Sequence, residues 1–282
     1  MTHYISSAAV EKYAKPPSPS VVSQVKVLHE TIRDVFPGDQ YLTILQGSYK
    51  NDTAVKDIND VDIVVICKKI ISGTFGNPAK KSSTVVSWDS IFQNIKEFLT
   101  KAGYGVVLGD KCLKVKGSFD VDVVPAVYTE NPDNDPVAIF SFRERLERKN
   151  YPRIHAQNGE DKNQGTNGQF KPMVRMFKVW SQNHFTDPKI APSYYIESLI
   201  YNMPNELFVS DKALAFTILT RKILQTTNLK TVAGDRWITG EEWPTFGQLC
   251  SELAKTEVHL DNALKAPSEW LATQHWKNAF NE

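Results

Sequence analysis

Two short apolar runs, rich in β-branched residues, place the strongest constraint on how this chain folds. Residues 60–67 are DVDIVVIC, and residues 120–127 are DVDVVPAV. Short runs of Val and Ile bounded by turn-forming residues are typical of buried β-strands. Both runs open on two aspartates spaced two apart, and the alternation of a strand directs such a pair to one face of the sheet. The sequence therefore predicts two buried strands that each begin with a pair of carboxylates.

The paired carboxylates need a positively charged partner to offset their mutual repulsion. Two carboxylates on one face repel each other and lose hydration when partly buried, and a divalent cation such as Mg²⁺ compensates for both effects. For the first strand alone, the alternative is an ordinary turn capped by Asp60 with Asp62 facing solvent. The second pair, Asp120 and Asp122, favours a metal site, because a third carboxylate from a neighbouring strand completes a two-metal centre for phosphoryl or nucleotidyl transfer. Asp122 is the third candidate ligand, since it lies nearer the strand interior than Asp120.

A Gly-Ser dipeptide, Gly47-Ser48, follows the strand-like run YLTILQ at residues 41–46. A glycine-containing turn that leads into a helix offers backbone N–H groups and a hydroxyl to an anion, and the helix dipole adds to the attraction. Alone, the dipeptide indicates no more than a turn. The order of strand, Gly-Ser turn and Asp-x-Asp strand predicts one nucleoside triphosphate, with its phosphates at the turn and metal ions at the aspartates.

The first half of the chain mixes helical and strand-like patterns. Apolar residues at helical spacing predict amphipathic helices at residues 20–36 and 88–104, the first of them a long N-terminal helix. Gly109-Asp110 marks a β-hairpin, and Pro125 is expected to limit the aspartate strand that follows. These elements predict a catalytic lobe with a mixed sheet at residues 1–150.

The second half is predicted to be helical. The polar stretch from Asn150 to Gly168 indicates a surface loop or a crossing between lobes. Beyond it, apolar side chains recur at helical spacing. These residues are Phe170, Met173, Val174, Phe177 and Trp180. We therefore predict an α+β fold, with a C-terminal α-helical lobe at residues 151–282 and the active site in the cleft between the two lobes.

Composition excludes some classes of function. Lys and Arg number 33 against 32 Asp and Glu, so no overall positive field is available to hold long nucleic acid. Residues 1–20 lack a basic region followed by an apolar stretch, and no window approaches the roughly 18 apolar residues of a membrane span. We expect a cytoplasmic protein without a membrane segment. The three cysteines, Cys67, Cys112 and Cys250, lack metal-ligand spacing and are expected to be buried apolar residues.

The motifs together resemble the DNA polymerase β-type nucleotidyltransferase superfamily, whose members share Gly-Ser, Asp-x-Asp and a third carboxylate. Three groups of segments narrow the resemblance to the bacterial cGAS/DncV-like nucleotidyltransferases. These are QGSYKNDTAV with DVDIVV, DVDVVPAV, and MVRMFKVW with APSYYIESLIYN. Members of this family make cyclic oligonucleotide signals in anti-phage defence.

The resemblance implies roles for the residues of the first lobe. Gly47 and Ser48 would hold the triphosphate, and Asp60 and Asp62 would bind two Mg²⁺ ions, for which Mn²⁺ is a substitute. Asp122 would bind one metal and help to activate the attacking hydroxyl.

In the helical lobe the resemblance makes Lys178 a phosphate contact, puts Ser193 at the end of a helix as a nucleotide-binding residue, and stacks Tyr194 on a nucleobase. The residues themselves leave alternatives open, with Lys178 a solvated surface charge and Tyr194 a core residue. One departure concerns Asp52, which stands before Thr53 where relatives often carry glycine. Zinc-binding Cys/His spacing is also absent from the sequence, so we do not expect activation by double-stranded DNA.

The implied reaction is attack of a ribose 2′- or 3′-hydroxyl on the α-phosphate of a second nucleotide, with release of pyrophosphate and closure to a cyclic di- or trinucleotide. Nucleoside triphosphates are the expected substrates, and a downstream effector that binds the cyclic product is the expected partner. Three alternatives stay open. The chain is an enzyme of the same superfamily acting on a drug, a protein or RNA, an inactive nucleotide-binding module, or a structural protein with incidental aspartates.

Overall fold

The computed structural model describes residues 5–56, 60–72, 79–81, 84–129, 135–226, 229–233, 237–238 and 243–282. Its helices are α1 (Ser7–Ala14), α2 (Pro19–Asp34), α3 (Gly47–Lys50), α4 (Trp88–Lys101), α5 (Pro152–Gly165), α6 (Phe170–His184), α7 (Ser193–Tyr201), α8 (Lys212–Leu224), α9 (Phe246–Lys265) and α10 (Glu269–Ala279). Its strands are β1 (Tyr41–Gln46), β2 (Asp60–Ile71), β3 (Ala79–Lys81), β4 (Thr84–Val86), β5 (Val106–Leu108), β6 (Leu113–Val115), β7 (Asp120–Tyr128), β8 (Val137–Ser141), β9 (Leu146–Asn150), β10 (Leu229–Lys230) and β11 (Trp237–Ile238).

The chain divides into two compact units that alternate along the sequence. The helical unit consists of Met1–Pro16, Asp52–Lys56 and Gln157–Glu282. The sheet unit consists of Pro17–Asn51 and Asp57–Ala156. The predicted lobes at residues 1–150 and 151–282 stay a prediction, and the chain crosses from one compact unit to the other more than once.

The sheet unit is built on a mixed sheet, as predicted. Among the described residues, nine strands join in it, with the order β4-β3-β2-β7-β6-β5 along its main path. Strand β1 also pairs with β2, and β8 links β7 to β9. The pair β2 and β7 is parallel, whereas the other pairs in this sheet are antiparallel. The two strands that open on Asp-x-Asp are therefore direct neighbours.

Strand β2 is apolar because both of its faces are covered. Ile63 and Val65 are fully buried in a cluster that also receives side chains from α2 and α4. Val64 and Ile66 are fully buried in a second cluster on the other face. Burial on both faces explains the continuous run of Val and Ile, since a strand with one wet face alternates apolar and polar residues.

The two helices predicted in the first half are confirmed as α2 and α4. Each begins at a serine whose hydroxyl accepts a hydrogen bond from the first turn, Ser18 from the Val21 amide and Ser87 from the Ser90 amide. The predicted hairpin is confirmed as β5 and β6. The first helix of the structure is a shorter one, α1, which lies before the predicted N-terminal helix.

Pro125 does not end its strand, contrary to the prediction, because β7 continues to Tyr128. On one side, Pro125 is the register partner of Val65 in β2. On the other side, the register with β6 ends at Val123 and the register with β8 begins at Ala126. Pro125 lies in the interval between these two neighbours, so its missing N–H interrupts neither antiparallel ladder.

The polar stretch from Asn150 to Gly168 is a helix, α5, over most of its length, and the prediction of a loop was wrong. The carboxylate of Asp135 accepts hydrogen bonds from the backbone amides of Arg153 and Ile154, at 2.6 and 2.8 Å. Two backbone groups that a helix start leaves unsatisfied therefore have a partner. A distant carboxylate supplies the start signal that the local sequence lacks.

The helical unit has a core of its own. The predicted stripe on α6 is confirmed, because its five residues are fully buried: Phe170, Met173, Val174, Phe177 and Trp180. Side chains from α1 and from α7 to α10 complete the cluster. Within the described ranges, no helix is both long and apolar enough to cross a membrane.

Candidate active site

The structure brings together the aspartates of β2 and β7. In the parallel register, Asp60 is the partner of Asp120, and Asp62 is the partner of Asp122. Neighbouring strands lie about 4.8 Å apart, and partners in register direct their side chains to the same face. The four carboxylates therefore form a row, which we call the acidic row, at the start of the two central strands.

The acidic row faces solvent, while the residues between its members are buried. Asp60 is exposed and Asp62 is partly buried. Their neighbours Val61 and Ile63 are fully buried on the opposite face. The strands thus gain apolar burial on one face and keep the carboxylates hydrated on the other, which avoids the cost of burying charge.

Two lysines, Lys114 in β6 and Lys116 directly after it, face the acidic row. Lys114 is the register partner of Asp122, and its Nζ lies 3.9 Å from the carboxylate. Lys116 donates a hydrogen bond of 2.5 Å to Asp120. Both pairs are largely exposed, so each contributes little to stability. Because two ammonium groups stand against four carboxylates, the row keeps a net negative charge.

The Gly-Ser turn touches the acidic row. Gln46, the last residue of β1, is the antiparallel partner of Asp62, so Gly47 follows at the level of that carboxylate. Gly47 has a φ of +70°, and a Cβ atom at this position would overlap the Asp62 carboxylate. Only glycine combines this backbone conformation with this close approach.

The turn leads into the one-turn helix α3, which contains Ser48, as the sequence predicted. Tyr49 in the same helix packs against the sheet core, and burial together with the charge of Asp60 raises the pKa of its hydroxyl. The phosphate-binding role of Gly47 and Ser48 stays a prediction, with the strand-turn-helix geometry it requires in place.

Cys112, the residue before β6, forms a hydrogen bond with Asp122 and was not predicted as part of the site. Burial raises the pKa of its thiol to about 12, and the charge of Asp122 and a hydrogen bond to it add to the effect. The thiol is therefore protonated at neutral pH and donates to Asp122. The expectation of buried cysteines is confirmed for Cys67 and Cys112, whereas Cys250 is partly exposed.

The side chains beside Asp122 follow a pattern that the sequence does contain. Cys112, Lys114 and Lys116 are spaced two apart in and directly beside β6, and this spacing favours one face of an extended segment. The missing information is the pairing of this strand with β7 and its register, which depends on contacts between distant residues. Asp120 was visible in the motif and belongs to the row beside the predicted ligands.

The acidic row fits a divalent cation in its ligand chemistry. Carboxylate oxygens are the hard ligands that Mg²⁺ prefers, and Mg²⁺ is held by one or two carboxylates, water and substrate phosphates rather than by a complete protein cage. Among the described residues, no three His, Cys, Asp or Glu side chains converge into a ready-made metal cluster. The protein therefore offers a partial ligand set of the kind that a nucleoside triphosphate completes.

Lys178 lies on α6 within the helical unit, and its side chain is 2% exposed. Its Nζ donates to the Thr53 hydroxyl at 3.1 Å and lies 3.3 Å from a carboxylate oxygen of Glu197. The alternative of a solvated surface charge is wrong, because the ammonium is buried. The role of Lys178 as a phosphate contact stays a prediction.

Ser193 is the first residue of α7, as expected for a residue at the end of a helix. Tyr194 is 37% exposed, so it is not the core residue that the alternative proposed. Its neighbour Tyr195 packs against Trp243, with ring centroids 5.3 Å apart. The ring of Tyr194 is thus accessible, whereas the ring of Tyr195 is packed. The nucleotide-binding roles of Ser193 and Tyr194 stay predictions.

Comparison with known proteins agrees with this architecture. A family model for the cGAS/DncV-like nucleotidyltransferase C-terminal helical domain matches residues 157–245. The cyclic UMP-AMP synthase of Rhodothermus marinus (strain SG0.5JP17-172) is 33% identical over 208 residues, which cover 65% of this chain and 72% of that protein. The cyclic dipyrimidine nucleotide synthase CdnE of Cecembia lonarensis is 29% identical over 223 residues, which cover 69% of this chain and 74% of that protein.

Solved structures are similar over most of the chain. The Rhodothermus marinus CdnE c-UMP-AMP synthase with Apcpp and Upnpp has a TM-score of 0.69 at 26% identity, covering 89% of this chain and 97% of that chain. E. coli MS115-1 CdnC with ATP has a TM-score of 0.73 and covers 100% of this chain and 98% of that chain. At 17% identity, the second similarity supports the fold alone.

The mixed sheet with its acidic row, the separate helical unit and these matches define a nucleotidyltransferase, an enzyme of the class that contains the cyclic nucleotide synthases. The predicted fold class is confirmed with it. This chain belongs to the cGAS/DncV-like nucleotidyltransferase family, which the sequence motifs predicted.

Proposed function

We propose that this protein is a Mg²⁺-dependent nucleotidyltransferase that condenses nucleoside triphosphates into a cyclic di- or trinucleotide. One observation carries the proposal: Asp62 and Asp122 are partners in register on parallel strands, and Gly47 touches the Asp62 carboxylate. A metal-binding pair and a phosphate-binding turn that meet at one carboxylate suit a substrate that is a metal-bound triphosphate.

Three carboxylates of the acidic row and both residues of the turn have proposed tasks. Asp60, Asp62 and Asp122 hold two Mg²⁺ ions, and Gly47 and Ser48 hold the triphosphate through backbone N–H groups and the hydroxyl. Bound Mg²⁺ supplies positive charge where negative charge develops on the phosphate, and Mn²⁺ is a substitute of the same ligand preference.

The chemistry is a nucleotidyl transfer. A ribose 2′- or 3′-hydroxyl oxygen of one nucleotide forms a bond to the α-phosphorus of another, and the bond from that phosphorus to the pyrophosphate oxygen breaks. We assign acceptance of the hydroxyl proton to Asp122. In the helical unit, Ser193 contributes to nucleotide binding and Tyr194 stacks on a base, for which its accessible ring is suited. A second transfer within the linear intermediate closes the ring.

The names of the relatives support a cyclic product. The 33% identical protein is a cyclic UMP-AMP synthase, and a relative that is 26% identical over 94% of this chain is a cyclic AMP-AMP-AMP synthase from Acinetobacter. Because these products differ in base and ring size, we propose the product class and no single product. We further propose that the product is a cytoplasmic signal in anti-phage defence, read by a downstream effector that binds it.

The proposal is tested by incubating the purified protein with the four nucleoside triphosphates and Mg²⁺ and detecting products by mass spectrometry and radiolabel. The Asp60→Ala, Asp62→Ala double variant is expected to lose product, about a thousandfold, because its metal contacts stabilise the transition state by several kcal/mol. Its thermal unfolding is expected to match that of the parent.

The matched control removes two aspartates elsewhere in the same unit. Asp34 and Asp39 have side chains that are 67% and 69% exposed, and the Asp34→Ala, Asp39→Ala variant is expected to keep full activity. Full activity of the Asp60→Ala, Asp62→Ala variant under Mg²⁺ would overturn the site assignment. Product that forms only with an added drug, protein or RNA acceptor would favour another enzyme of the superfamily. Nucleotide binding without any product would favour an inactive module.

A further inference from the structure

A buried polar network in the helical unit holds the segment that joins the two catalytic motifs. This segment, Asp52–Lys56, is named the strap here, and it lies between Ser48 and Asp60 in the sequence. The strap belongs to the helical unit, whereas the residues on both sides of it in the chain belong to the sheet unit. Contacts that hold the strap in place therefore restrain the part of the chain between the phosphate-binding turn and the metal-binding strand.

Three buried side chains form the centre of the network. Thr53, Lys178 and Glu197 are 0%, 2% and 3% exposed. The Thr53 hydroxyl donates to the Glu197 carboxylate at 2.9 Å and accepts from the Lys178 ammonium at 3.1 Å. Lys178 also donates to the Thr53 carbonyl at 3.3 Å and to Glu197 at 3.3 Å. The ion pair thus closes around both the side chain and the backbone of one strap residue.

A second buried cation holds the preceding residue. Arg175 lies one turn before Lys178 on α6 and is 6% exposed. Its guanidinium donates to the carbonyl of Asp52 at 2.6 Å and to the carbonyl of Ala14 at 2.6 Å. Asp52 itself has a φ of +55°, a conformation that few residues other than glycine adopt. The carbonyls of two consecutive strap residues therefore each accept from a buried cation of the same helix.

Burial makes this network unusually sensitive to the loss of one partner. A buried ion pair loses much of its hydration, and removal of one member leaves the other charge without compensation. Neutral replacement of both members avoids that penalty. The strap also buries Ala54 and Val55, at 2% and 3% exposure, so a shift of the strap would expose apolar side chains.

We propose that Lys178 and Glu197 are positioning residues that fix the strap, and through it the spacing of the Gly47-Ser48 turn and the Asp60-Asp62 strand. The inference rests on the proposed nucleotidyl transfer at those motifs. The contacts of the Lys178 ammonium with Thr53 and Glu197 inside the helical unit are the geometry that this positioning role requires. The left-handed backbone at Asp52 is part of the same arrangement, because Arg175 donates a hydrogen bond to the carbonyl of this residue.

Kinetics of matched variants test the inference. Lys178→Met and Glu197→Gln are each expected to lower kcat about 100-fold, the scale of a small displacement of reacting groups, without raising KM for the nucleotides. The double variant is expected to recover at least about tenfold of that loss, because neither charge is then left alone. Lys212→Met removes a cation that pairs with Glu11 elsewhere in the same unit and is expected to change neither constant. All rates are measured well below each variant's melting temperature.

Two kinetic results overturn the inference. A higher KM in Lys178→Met, with no recovery in the double variant, would make Lys178 a phosphate contact. A lower melting temperature with unchanged kcat would make the network a purely structural one. Thr53→Ser, which keeps the hydroxyl, is expected to retain activity, and Thr53→Val is expected to lose it.

Hydrogen exchange tests the strap without reference to any product. The amides of residues 47–56 are expected to exchange faster in Lys178→Met than in the parent chain, and at the parent rate in Lys212→Met. Unchanged exchange in Lys178→Met overturns the inference, whether or not the parent chain makes a cyclic product. Absence of product from the parent chain, with faster exchange in Lys178→Met, would contradict the proposed function and leave the strap assignment standing.

Discussion

Gly47 is the residue at which backbone conformation and site chemistry constrain each other. Its φ of +70° lies in the left-handed region, and the carboxylate of Asp62 fills the space that a side chain would need. For an L-residue with a Cβ, the left-handed conformation costs about 1–2 kcal/mol. Any substitution therefore strains the backbone and displaces a proposed metal ligand in the same step.

We predict that Gly47→Ala lowers stability by about 1–2 kcal/mol and lowers product formation far more, because the added Cβ moves the Asp62 carboxylate. Chemical denaturation and the nucleotide assay measure the two effects. Gly38→Ala is the matched control, since a Cβ there meets nothing within 4 Å and no left-handed φ is involved. Parent-level activity in Gly47→Ala would show that the close approach has no catalytic role.

The carboxylates of the site were predictable because their pattern is local. Asp60 and Asp62 share a face of one strand by the two-residue period alone, and Asp122 follows from the same argument in its own strand. The neighbours Lys114 and Cys112 could not be assigned, since they reach Asp122 only through the register between β6 and β7. Local periodicity gives the orientation of a side chain within a strand and carries no information on which strand lies beside it.

Helix α5 shows where element prediction fails. Its residues are polar, so they give no apolar stripe to detect, and its first turn has no local capping side chain in the sequence. The start is fixed by Asp135, whose carboxylate accepts from the Arg153 and Ile154 amides. By contrast, α6 was predictable, because five buried apolar side chains recur at the helical period. The difference lies in whether the helix is specified by its own residues or by a distant partner.

We predict that Asp135→Ala destabilises the protein by about 1–2 kcal/mol, the range measured for the loss of a strong helix cap. The Arg153 and Ile154 amides are expected to exchange faster with solvent as their acceptor is removed. Denaturant unfolding and hydrogen exchange measure the two effects. Asp89→Ala removes an exposed carboxylate at the start of α4 and is the comparison, because Ser87 caps that helix. Equal losses in the two variants would argue against the cap.

At the scale of the whole molecule, the charge balance sets the expected relation to nucleic acid. The formal net charge is +1, so few counterions would be released when the chain meets a polyanion. The chain thus lacks the overall positive field that would draw long nucleic acid to it. The expected ligands are single nucleotides, recognised by a few groups at one site.

We predict that double-stranded DNA neither stimulates product formation nor forms a stable complex, even at low salt, where charge attraction is strongest. The nucleotide assay with increasing DNA and a mobility shift at the same salt concentrations measure both outcomes. Single-nucleotide binding in the same buffer is the positive control. Stimulation that grows with DNA length would contradict the charge argument.

The alternation of the two units along the chain limits how the gene can be divided. A fragment that ends at residue 150 carries Thr53 and its buried neighbours but lacks Lys178 and Glu197, which surround them in the intact chain. Exchange of one half with a relative by recombination would combine a strap with an α6 and α7 that were not selected to hold it. Sequences on the two sides of residue 150 are therefore expected to be inherited and to change together, although each unit has a hydrophobic core of its own.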